Sequence, residues 1–370
     1  MLPSSIKKIL LEDDLKISKM KRNSFEMPDY NPRTYYKDVA VNTYFYALVL
    51  LRQYIKFTLD YYFGMELRAK NIDLFMITPS ISSPTAPGSD SKPIKIRFGR
   101  LKTFLVDSAQ FGLEPLLLNN LEKVYCYLPS MRGENYDRRH LNQFFHCEFE
   151  MIGTLENLIP IAEECIISLC NTILLMDNII NRISVSPKRT KFFLKKISRL
   201  HNFPIITFDG AVDILIKNKK KDYINFTPYG RSITWKGEIE LMNILRLDIP
   251  IWIKYFDRDM VPFYQKPYSK NKTLNTDLLF PPVIKGALGG EILGSGQRQN
   301  NPKEMYESLK RQNLLPRPYE WYIDLRRLPK YRTTSGFGLG IERFITWALA
   351  KNDIKNIILY PRLKNVLTFP

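Results

Sequence analysis

The chain has 370 residues, of which 45% are hydrophobic and 25% charged, and its formal net charge is +18. These values predict a folded protein with one large domain or two medium-sized ones. The longest apolar stretch, 159–182, contains Glu163, Glu164 and Asp177, so no membrane span is predicted. The N-terminus does not resemble a secretory signal, and the four cysteines form no Cys-x-x-Cys pair. We therefore expect a cytoplasmic protein with reduced thiols in its core rather than a zinc site.

Residues 1–38 have mixed charge and little periodicity, and we interpret them as an N-terminal arm that precedes one domain over 39–370. From 41 to 63 apolar residues recur at helical spacing, which predicts an amphipathic helix. Further helices are predicted near 110–121 and at 155–182, 210–217 and 341–350. Strands are predicted at 74–78, 104–106, 124–128, 144–151, 251–255, 278–283, 322–325 and 357–359. Strands outnumber β-α-β units, so we predict an α+β fold with a mixed or antiparallel sheet and segregated helices.

Two segments interrupt this pattern, a Ser/Pro/Gly-rich loop at 80–92 and a variable, basic connection near 183–235. The positive charge is concentrated at 7–22, 182–199 and 217–221. It could mark a face that binds RNA. It could equally reflect solvated lysines together with arginines that hold a nucleotide, and we interpret each cluster first as solvated surface.

Two motifs carry the chemistry. Residues 336–343 read Gly-Phe-Gly-Leu-Gly-Ile-Glu-Arg, and residues 132–144 contain Arg-Gly-Glu followed by Arg-Arg-His-Leu-Asn-Gln-Phe. Glycines let the backbone approach a ligand closely, and arginines present planar forks that suit phosphate oxygens. One glycine-rich run is weak evidence for a nucleotide, because helix packing uses the same residues. Two such elements, each with its own arginine, make ATP the leading ligand.

These motifs, in this order, resemble the catalytic domain of class II aminoacyl-tRNA synthetases, in the subgroup of aspartyl, asparaginyl and lysyl enzymes. A helix followed by a strand and Pro79 is similar to that family's first motif, and the segments 132–144 and 336–343 are similar to the second and third. Within the subgroup, Trp-Tyr-Ile-Asp-Leu-Arg-Arg at 321–327 and Tyr-Pro-Arg at 360–362 most resemble asparaginyl enzymes.

The resemblance implies a six-stranded antiparallel sheet that holds ATP in a bent form, and a homodimer formed through the Pro79 element. Arg132 and Arg343 would be the catalytic residues: Arg132 would hold the α-phosphate, and Arg343 would enclose adenine together with Phe144. Glu291 and Asp277 would bind Mg²⁺. The remaining predicted ATP-binding residues are Glu134, Arg139, His140, Gly338 and Gly340.

The resemblance also implies an amino-acid pocket. Ser108, Gln110 and Glu114 belong to a segment similar to the asparaginyl pattern, in which Leu113 replaces the lysine of aspartyl enzymes. Glu114 would accept from a substrate amide NH₂, and Arg326 would donate to its carbonyl, so the pocket favours asparagine over aspartate. Alternatively, Glu114 is a charge on a helix surface.

Some residues depart from the family pattern. We find no counterpart of the glutamate in the substrate-covering loop between Pro79 and Lys92, and Gln299 stands where the family has a glutamate. About 40 residues precede the first catalytic helix, too few for the family's anticodon-binding barrel. We therefore expect an enzyme that adenylates asparagine or a close analogue and transfers it to an acceptor other than an anticodon-recognised tRNA. The alternatives are an asparagine synthetase that uses aspartate and ammonia, a truncated asparaginyl-tRNA synthetase, and a non-catalytic paralogue that binds RNA or protein.

Overall fold

The computed structural model describes residues 2–21, 25–82, 86–89 and 91–369. Its helices are α1 (Ser4–Ser18), α2 (Tyr35–Val41), α3 (Thr43–Asp60), α4 (Gln110–Leu117), α5 (Leu155–Leu174), α6 (Asp177–Ile183), α7 (Pro187–Ile197), α8 (Phe208–Lys217), α9 (Trp235–Ile244), α10 (Pro302–Arg311), α11 (Glu320–Asp324) and α12 (Ile341–Ala348). Its strands are β1 (Lys70–Asn71), β2 (Ile77–Thr78), β3 (Lys95–Phe98), β4 (Leu101–Leu105), β5 (Lys123–Met131), β6 (Gln143–Ile152), β7 (Ile205–Thr207), β8 (Ile224–Thr227), β9 (Gly230–Ile233), β10 (Ile251–Lys254), β11 (Asn275–Phe280), β12 (Gly290–Gln297) and β13 (Thr334–Gly340).

The main sheet has eight strands in the order β1-β5-β6-β13-β12-β11-β10-β7. The six strands from β5 to β10 pair antiparallel, which confirms the predicted α+β class and the central sheet implied by the family. The edge strands β1 and β7 are short and pair parallel with their neighbours. A separate sheet has the order β2-β4-β3, and β8 and β9 form a hairpin.

The hydrophobic core lies between the main sheet and the helices α3, α5 and α12. The buried rings of Phe63 and Phe337 both stack on Phe149, at centroid distances of 5.0 and 5.5 Å. Among the described residues, α5 is the one helix long and apolar enough to cross a membrane, but 67% of its most apolar window is buried inside the protein. All four cysteines are free and buried, so they lie in the core as expected.

The N-terminal segment packs on the domain through α1, in which Leu10 and Ile17 are fully buried. The carboxylate of Asp14 accepts hydrogen bonds from the backbone N–H groups of Asn178 and Ile179, at 3.0 and 2.9 Å. These groups belong to the first turn of α6, where a carboxylate satisfies otherwise unpaired donors. Part of the segment interpreted as an arm is therefore a helix fixed to the core.

Most predicted elements occur near their expected positions, and the helix predicted at 41–63 is α3 with a final turn at Tyr61–Glu66. The strand predicted at 322–325 is wrong, because this segment is the end of α11 and a 3₁₀ turn. The strand predicted at 357–359 is also wrong, since Ile354–Ile357 form a 3₁₀ turn. Short apolar runs do not distinguish a strand from a buried turn.

The helix predicted at 155–182 is divided after Leu174 into α5 and α6. The loop predicted at 80–92 has neither helix nor strand in its described part. Residues 83–85 and 90 of this loop, and residue 22 of the basic segment 7–22, lie outside the described residues. The stretch between Pro79 and Lys92, in which the sequence has no counterpart of the family's covering-loop glutamate, is therefore only partly described.

Candidate active site

A cavity of about 590 Å³ opens on one face of the main sheet, beside the ends of β5 and β6 and along β11, β12 and β13. Every residue predicted to bind ATP or Mg²⁺ lines it, as do Ser108 and Gln110. The predicted ATP and Mg²⁺ residues are Arg132, Glu134, Arg139, His140, Phe144, Asp277, Glu291, Gly338, Gly340 and Arg343. Glu114 and Arg326 do not line the cavity.

The β5–β6 hairpin places Arg132 and Phe144 at one end of this cavity. Asn142 fixes the turn, because its side-chain amide donates to the backbone oxygens of Arg132 and Glu134 at 2.8 and 2.7 Å. The Arg132 guanidinium carbon lies 5.2 Å from the centroid of the Phe144 ring, a cation–π distance. The buried Nε of Arg132 has no hydrogen-bond partner, so its guanidinium keeps donor capacity for a ligand.

Basic and acidic side chains meet around Glu291 on β12. Arg343 lies 3.1 Å and Arg139 3.8 Å from its carboxylate, and Arg139 also lies 3.3 Å from Glu238. Burial opposes ionisation of Glu291, but Arg343 and Arg139 outweigh it and hold the pKa of this carboxyl below its usual value. The cluster therefore combines a fixed negative charge with two guanidinium groups.

Asp277 on β11 faces Glu291 across Gly294. A Cβ at Gly294 would lie 3.2 Å from a Glu291 oxygen and 3.4 Å from an Asp277 oxygen, so the glycine leaves room between two converging carboxylates. Burial and the neighbouring Glu291 carboxylate raise the pKa of Asp277 well above its usual value. A cation between them would relieve this repulsion. The described residues contain no group of three His, Cys, Asp or Glu side chains suited to a metal, so Mg²⁺ would need phosphate oxygens and water as its other ligands.

Glu148 on β6 also lines the cavity and carries an ionised carboxylate. It accepts hydrogen bonds from Ser108 Oγ at 2.6 Å and the Ala109 N–H at 2.8 Å, and His146 Nδ1 lies 3.4 Å away. Burial opposes ionisation, but His146 and these donors lower the pKa of Glu148 overall. Ser108 therefore orients this carboxylate. Sequence reasoning did not select Glu148, although it lies four residues after Phe144 in the second motif.

Arg298 also lines the cavity and was not predicted as a site residue. It forms a bidentate pair with Glu150 on β6, with both N···O distances 2.8 Å and both side chains buried. Burial raises the pKa of Glu150 to about 7, although Arg298 opposes that shift. Gly336 must lack a side chain here, since a Cβ would lie 1.8 Å from a Glu150 oxygen. The available signal was an arginine directly after the glycine-rich strand β12.

The Glu114–Arg326 pair lies behind the cavity wall beside Gln110, where the amino-acid end of the cavity is predicted, with both side chains fully buried and an N···O distance of 2.6 Å. Glu114 also accepts from the hydroxyl groups of Tyr322, Tyr331 and Thr334. The buried position excludes Glu114 as a helix-surface charge. Gln110 connects the pair to the cavity, because its amide donates to Tyr322 Oη at 3.3 Å. The two residues expected to contact substrate therefore bind each other, and their substrate contacts stay a prediction.

The connection at 183–235 and the following α9 supply a further wall, which the sequence did not indicate. Ser232, Trp235 and Glu238 line the cavity. Gly290, with φ of +87°, lets α9 approach β12, because a Cβ there would lie 2.4 Å from Glu238 and 2.9 Å from Trp235. Glu238 accepts from the Glu291 N–H at 3.0 Å, so α9 is fixed to the acidic cluster.

Curated relatives and solved structures agree on one group of proteins. Asparagine–tRNA ligase of Pyrococcus abyssi is 30% identical over 283 residues, which cover 72% of this chain and 58% of that protein. The Mycoplasma genitalium enzyme of the same name is 26% identical and covers 90% and 72%. The asparaginyl-tRNA synthetase structure from Pyrococcus horikoshii complexed with asparaginyl-adenylate has a TM-score of 0.79 at 24% identity, covering 93% and 76%.

A putative aspartyl-tRNA synthetase from Leishmania major Friedlin has a TM-score of 0.70 at 19% identity, covering 97% of this chain and 72% of that one. The chain spans 58–64% of the lengths of the first three curated relatives. The family model described as tRNA synthetases class II (D, K and N) matches residues 75–364, which contain the whole cavity wall formed by the main sheet. The chain therefore belongs to the class II tRNA synthetases of the D, K and N group.

Proposed function

We propose that the chain forms asparaginyl-adenylate from asparagine and ATP, with release of pyrophosphate, and transfers the asparaginyl group to an RNA acceptor. The observation that carries the proposal is the convergence of all predicted ATP and Mg²⁺ residues on one cavity. The curated relatives are named asparagine–tRNA ligases, and one similar structure is described as a complex with asparaginyl-adenylate.

The reaction is an in-line displacement at the α-phosphorus by the amino-acid carboxylate. A carboxylate is already a nucleophile, so the protein must position the reactants and stabilise developing negative charge rather than remove a proton. Arg132 is suited to the α-phosphate, and Arg139 and Arg343 to the departing pyrophosphate. Glu291 and Asp277 would hold Mg²⁺, which neutralises phosphate charge when bound.

The amino-acid end supports a substrate with an α-ammonium group and an uncharged side-chain amide. The ionised Glu148 is suited to the ammonium. Arg298 is held in a bidentate pair with Glu150, so its guanidinium is already engaged and is poorly placed to bind a side-chain carboxylate of the substrate. Gln110 offers an amide that could bind the side-chain carboxamide. These features favour asparagine over aspartate.

The acceptor was expected not to be an anticodon-recognised tRNA, because the N-terminal segment is short. The chain spans about three fifths of its first relatives, so that segment decides nothing about the acceptor. The relatives' name includes tRNA, and we propose tRNA as the acceptor. We also propose a homodimer through the surface around Pro79, where Phe75 and Ile77 are 90% and 41% exposed.

Amino-acid-dependent exchange between ATP and pyrophosphate tests the proposed adenylation. We expect exchange with asparagine and not with aspartate or lysine. Exchange with aspartate, together with asparagine formation from ammonia, would instead assign a synthetase of asparagine. Absence of exchange with every amino acid, while RNA still binds, would assign a non-catalytic paralogue.

Light scattering of the wild type and of the Phe75→Glu variant tests the proposed dimer. The introduced negative charge should dissociate it.

A further inference from the structure

The β3–β4 hairpin carries an unusual concentration of positive charge at its tip. Residues 95–102 contain Lys95, Arg97, Arg100 and Lys102 and no acidic residue, and all four cations are exposed. Arg97 and Lys102 are direct cross-strand partners, so two like charges lie opposite each other on one face. Such a pair destabilises a hairpin. Lys95 lies two residues before Arg97 and therefore shares that face.

These cations differ from the three basic clusters recognised in the sequence, each of which is partly neutralised within the chain. Lys16 pairs with Asp13 in the first cluster, Lys196 with Asp248 in the second, and Lys220 with Glu240 in the third. In the described part of the chain, none of the four hairpin cations forms an ion pair. Their charge is thus available to a partner.

The hairpin rises from the rim of the cavity. The Gly133 N–H donates to the Lys92 oxygen at 2.7 Å, and the Lys92 N–H donates to the Glu134 carboxylate at 2.9 Å. Gly88 and Ser89, which line the cavity, lie shortly before β3 in the chain. A polymer whose terminal hydroxyl enters the cavity on this side passes the hairpin.

Charge that protects an edge strand is the simplest other explanation, since β3 is an edge strand and lysines often guard such edges. Protection requires charge on the edge strand alone. Here Lys102 belongs to the inner strand β4, and its position opposite Arg97 adds repulsion that protection does not need. A partner that supplies negative charge to both residues removes this repulsion.

We propose that the basic face of the β3–β4 hairpin, formed by Lys95, Arg97, Arg100 and Lys102, binds the phosphate backbone of the single-stranded 3′ end of the RNA acceptor. This inference rests on the proposed function for the identity of the acceptor. A single strand that runs from the cavity along the hairpin places successive phosphates beside successive cations. Phosphate contacts of this kind fix register and orientation without reading sequence.

The test uses the full chain with Arg97→Gln, Arg100→Gln and Lys102→Gln combined. The matched control removes equal charge at Lys217, Lys219 and Lys221, which lie at and after the end of α8. Binding is measured by fluorescence anisotropy at several salt concentrations, with an RNA stem that carries a single-stranded 3′ extension and with the same stem blunt-ended. Exchange of ATP and pyrophosphate without RNA is measured in parallel, and melting curves report folding.

We expect the hairpin variant to bind the extended RNA about 10- to 100-fold more weakly at low salt, with a salt slope smaller by about 2. The control variant and the blunt stem should show little change between proteins, and exchange should stay within about twofold, because adenylation precedes RNA contact. Equal losses in both variants, equal losses for both RNAs, or unchanged binding would overturn the inference. Equally tight binding of polyglutamate would assign the face to acidic polypeptides. Absence of exchange in the wild type would reject the adenylation proposal, and the anisotropy measurements would still test whether the hairpin binds RNA.

Discussion

Charges in the wall of the cavity and charges buried behind that wall are organised in different ways. At the phosphate end, Arg343 and Arg139 surround Glu291 at 3.1 and 3.8 Å, and these side chains line the cavity. Behind the amino-acid end, Glu114 and Arg326 are fully buried and form an ion pair at 2.6 Å. Tyrosine and threonine hydroxyls and backbone oxygens occupy their other bonding positions.

This difference separates charges that await a ligand from charges that hold the protein together. A buried ion pair contributes little net stability when complete, because desolvation offsets the attraction, but its disruption is costly. Charges that face a cavity can instead stabilise a bound phosphate group. Substitution of a charged residue that faces the cavity should therefore lower activity, whereas substitution within the buried Glu114–Arg326 pair should lower stability.

Arg132→Ala should have the largest effect, on catalysis alone. Loss of one preorganised cation at the α-phosphate should lower exchange about 10³-fold, whereas the melting temperature and the dimer should change little, since the Arg132 Nε has no hydrogen bond to lose and only the contact with the Phe144 ring disappears. Arg138→Ala is the matched control, because Arg138 is exposed on the same hairpin and does not line the cavity. Retained exchange in Arg132→Ala would show that the motif has been assigned wrongly.

Glu114→Ala should have the opposite profile, with a loss of about 3 kcal/mol or more in the free energy of unfolding. The substitution leaves the Arg326 guanidinium buried without its carboxylate. Urea denaturation measures the loss, and Glu114→Gln combined with Arg326→Met should recover much of it because no unpaired charge remains. If Glu114 contacts substrate, as the sequence suggested, Glu114→Gln would raise the KM for asparagine in a protein of normal stability.

The convergence of the predicted phosphate-binding residues on one cavity could be anticipated from sequence because they lie mostly in two contiguous motifs. Arg132 to Phe144 occupy one hairpin, and Gly338 to Arg343 one strand–helix junction, so their local order largely determines their positions. The sheet was predictable for a different reason, since β-branched and aromatic runs such as 124–128 and 144–151 favour strands even where their alternation is weak.

The remainder depends on contacts between distant parts of the chain. The pairing of Glu114 with Arg326 joins α4 to the turn after α11, and no local pattern indicates it. The short apolar run at 322–325 resembled a strand because Tyr322 and Ile323 are both buried, but they pack within an aromatic cluster around Phe111. Glu238 lies shortly after the connection at 183–235, which is predicted to be variable, and the sequence around Glu238 carries no motif.

Lys351 extends the comparison to a buried cation with no carboxylate partner among the described residues. Its ammonium lies 4.8 Å from the centroid of the Tyr44 ring, and burial lowers its pKa from 10.5 to about 8. The folded state therefore binds fewer protons than the unfolded state between these values, and stability rises with pH across that range. Below pH 8, retaining the charge costs roughly 3 kcal/mol.

Lys351→Met should thus raise the free energy of unfolding by about 3 kcal/mol at neutral pH, less whatever the Tyr44 contact contributes. Denaturation of wild type and variant at neutral and alkaline pH measures the difference, which should shrink as pH rises through the window of 8 to 10.5. Lys19→Met, at an exposed position, controls for a simple change in net charge. A stability difference that does not vary with pH would show that Lys351 stays charged when folded.

Asp277→Asn should have the smallest effect and returns to the phosphate end. Burial and Glu291 raise the pKa of Asp277, so the wild-type carboxylate ionises fully only as pH rises or when a cation binds. Apparent Mg²⁺ affinity in the exchange reaction should therefore increase as pH rises in the wild type. The amide cannot ionise, so the variant should require about 10-fold more Mg²⁺ with a flatter dependence on pH. Equal pH dependence in both proteins would place the titrating group elsewhere and leave Glu291 as the principal carboxylate for the metal.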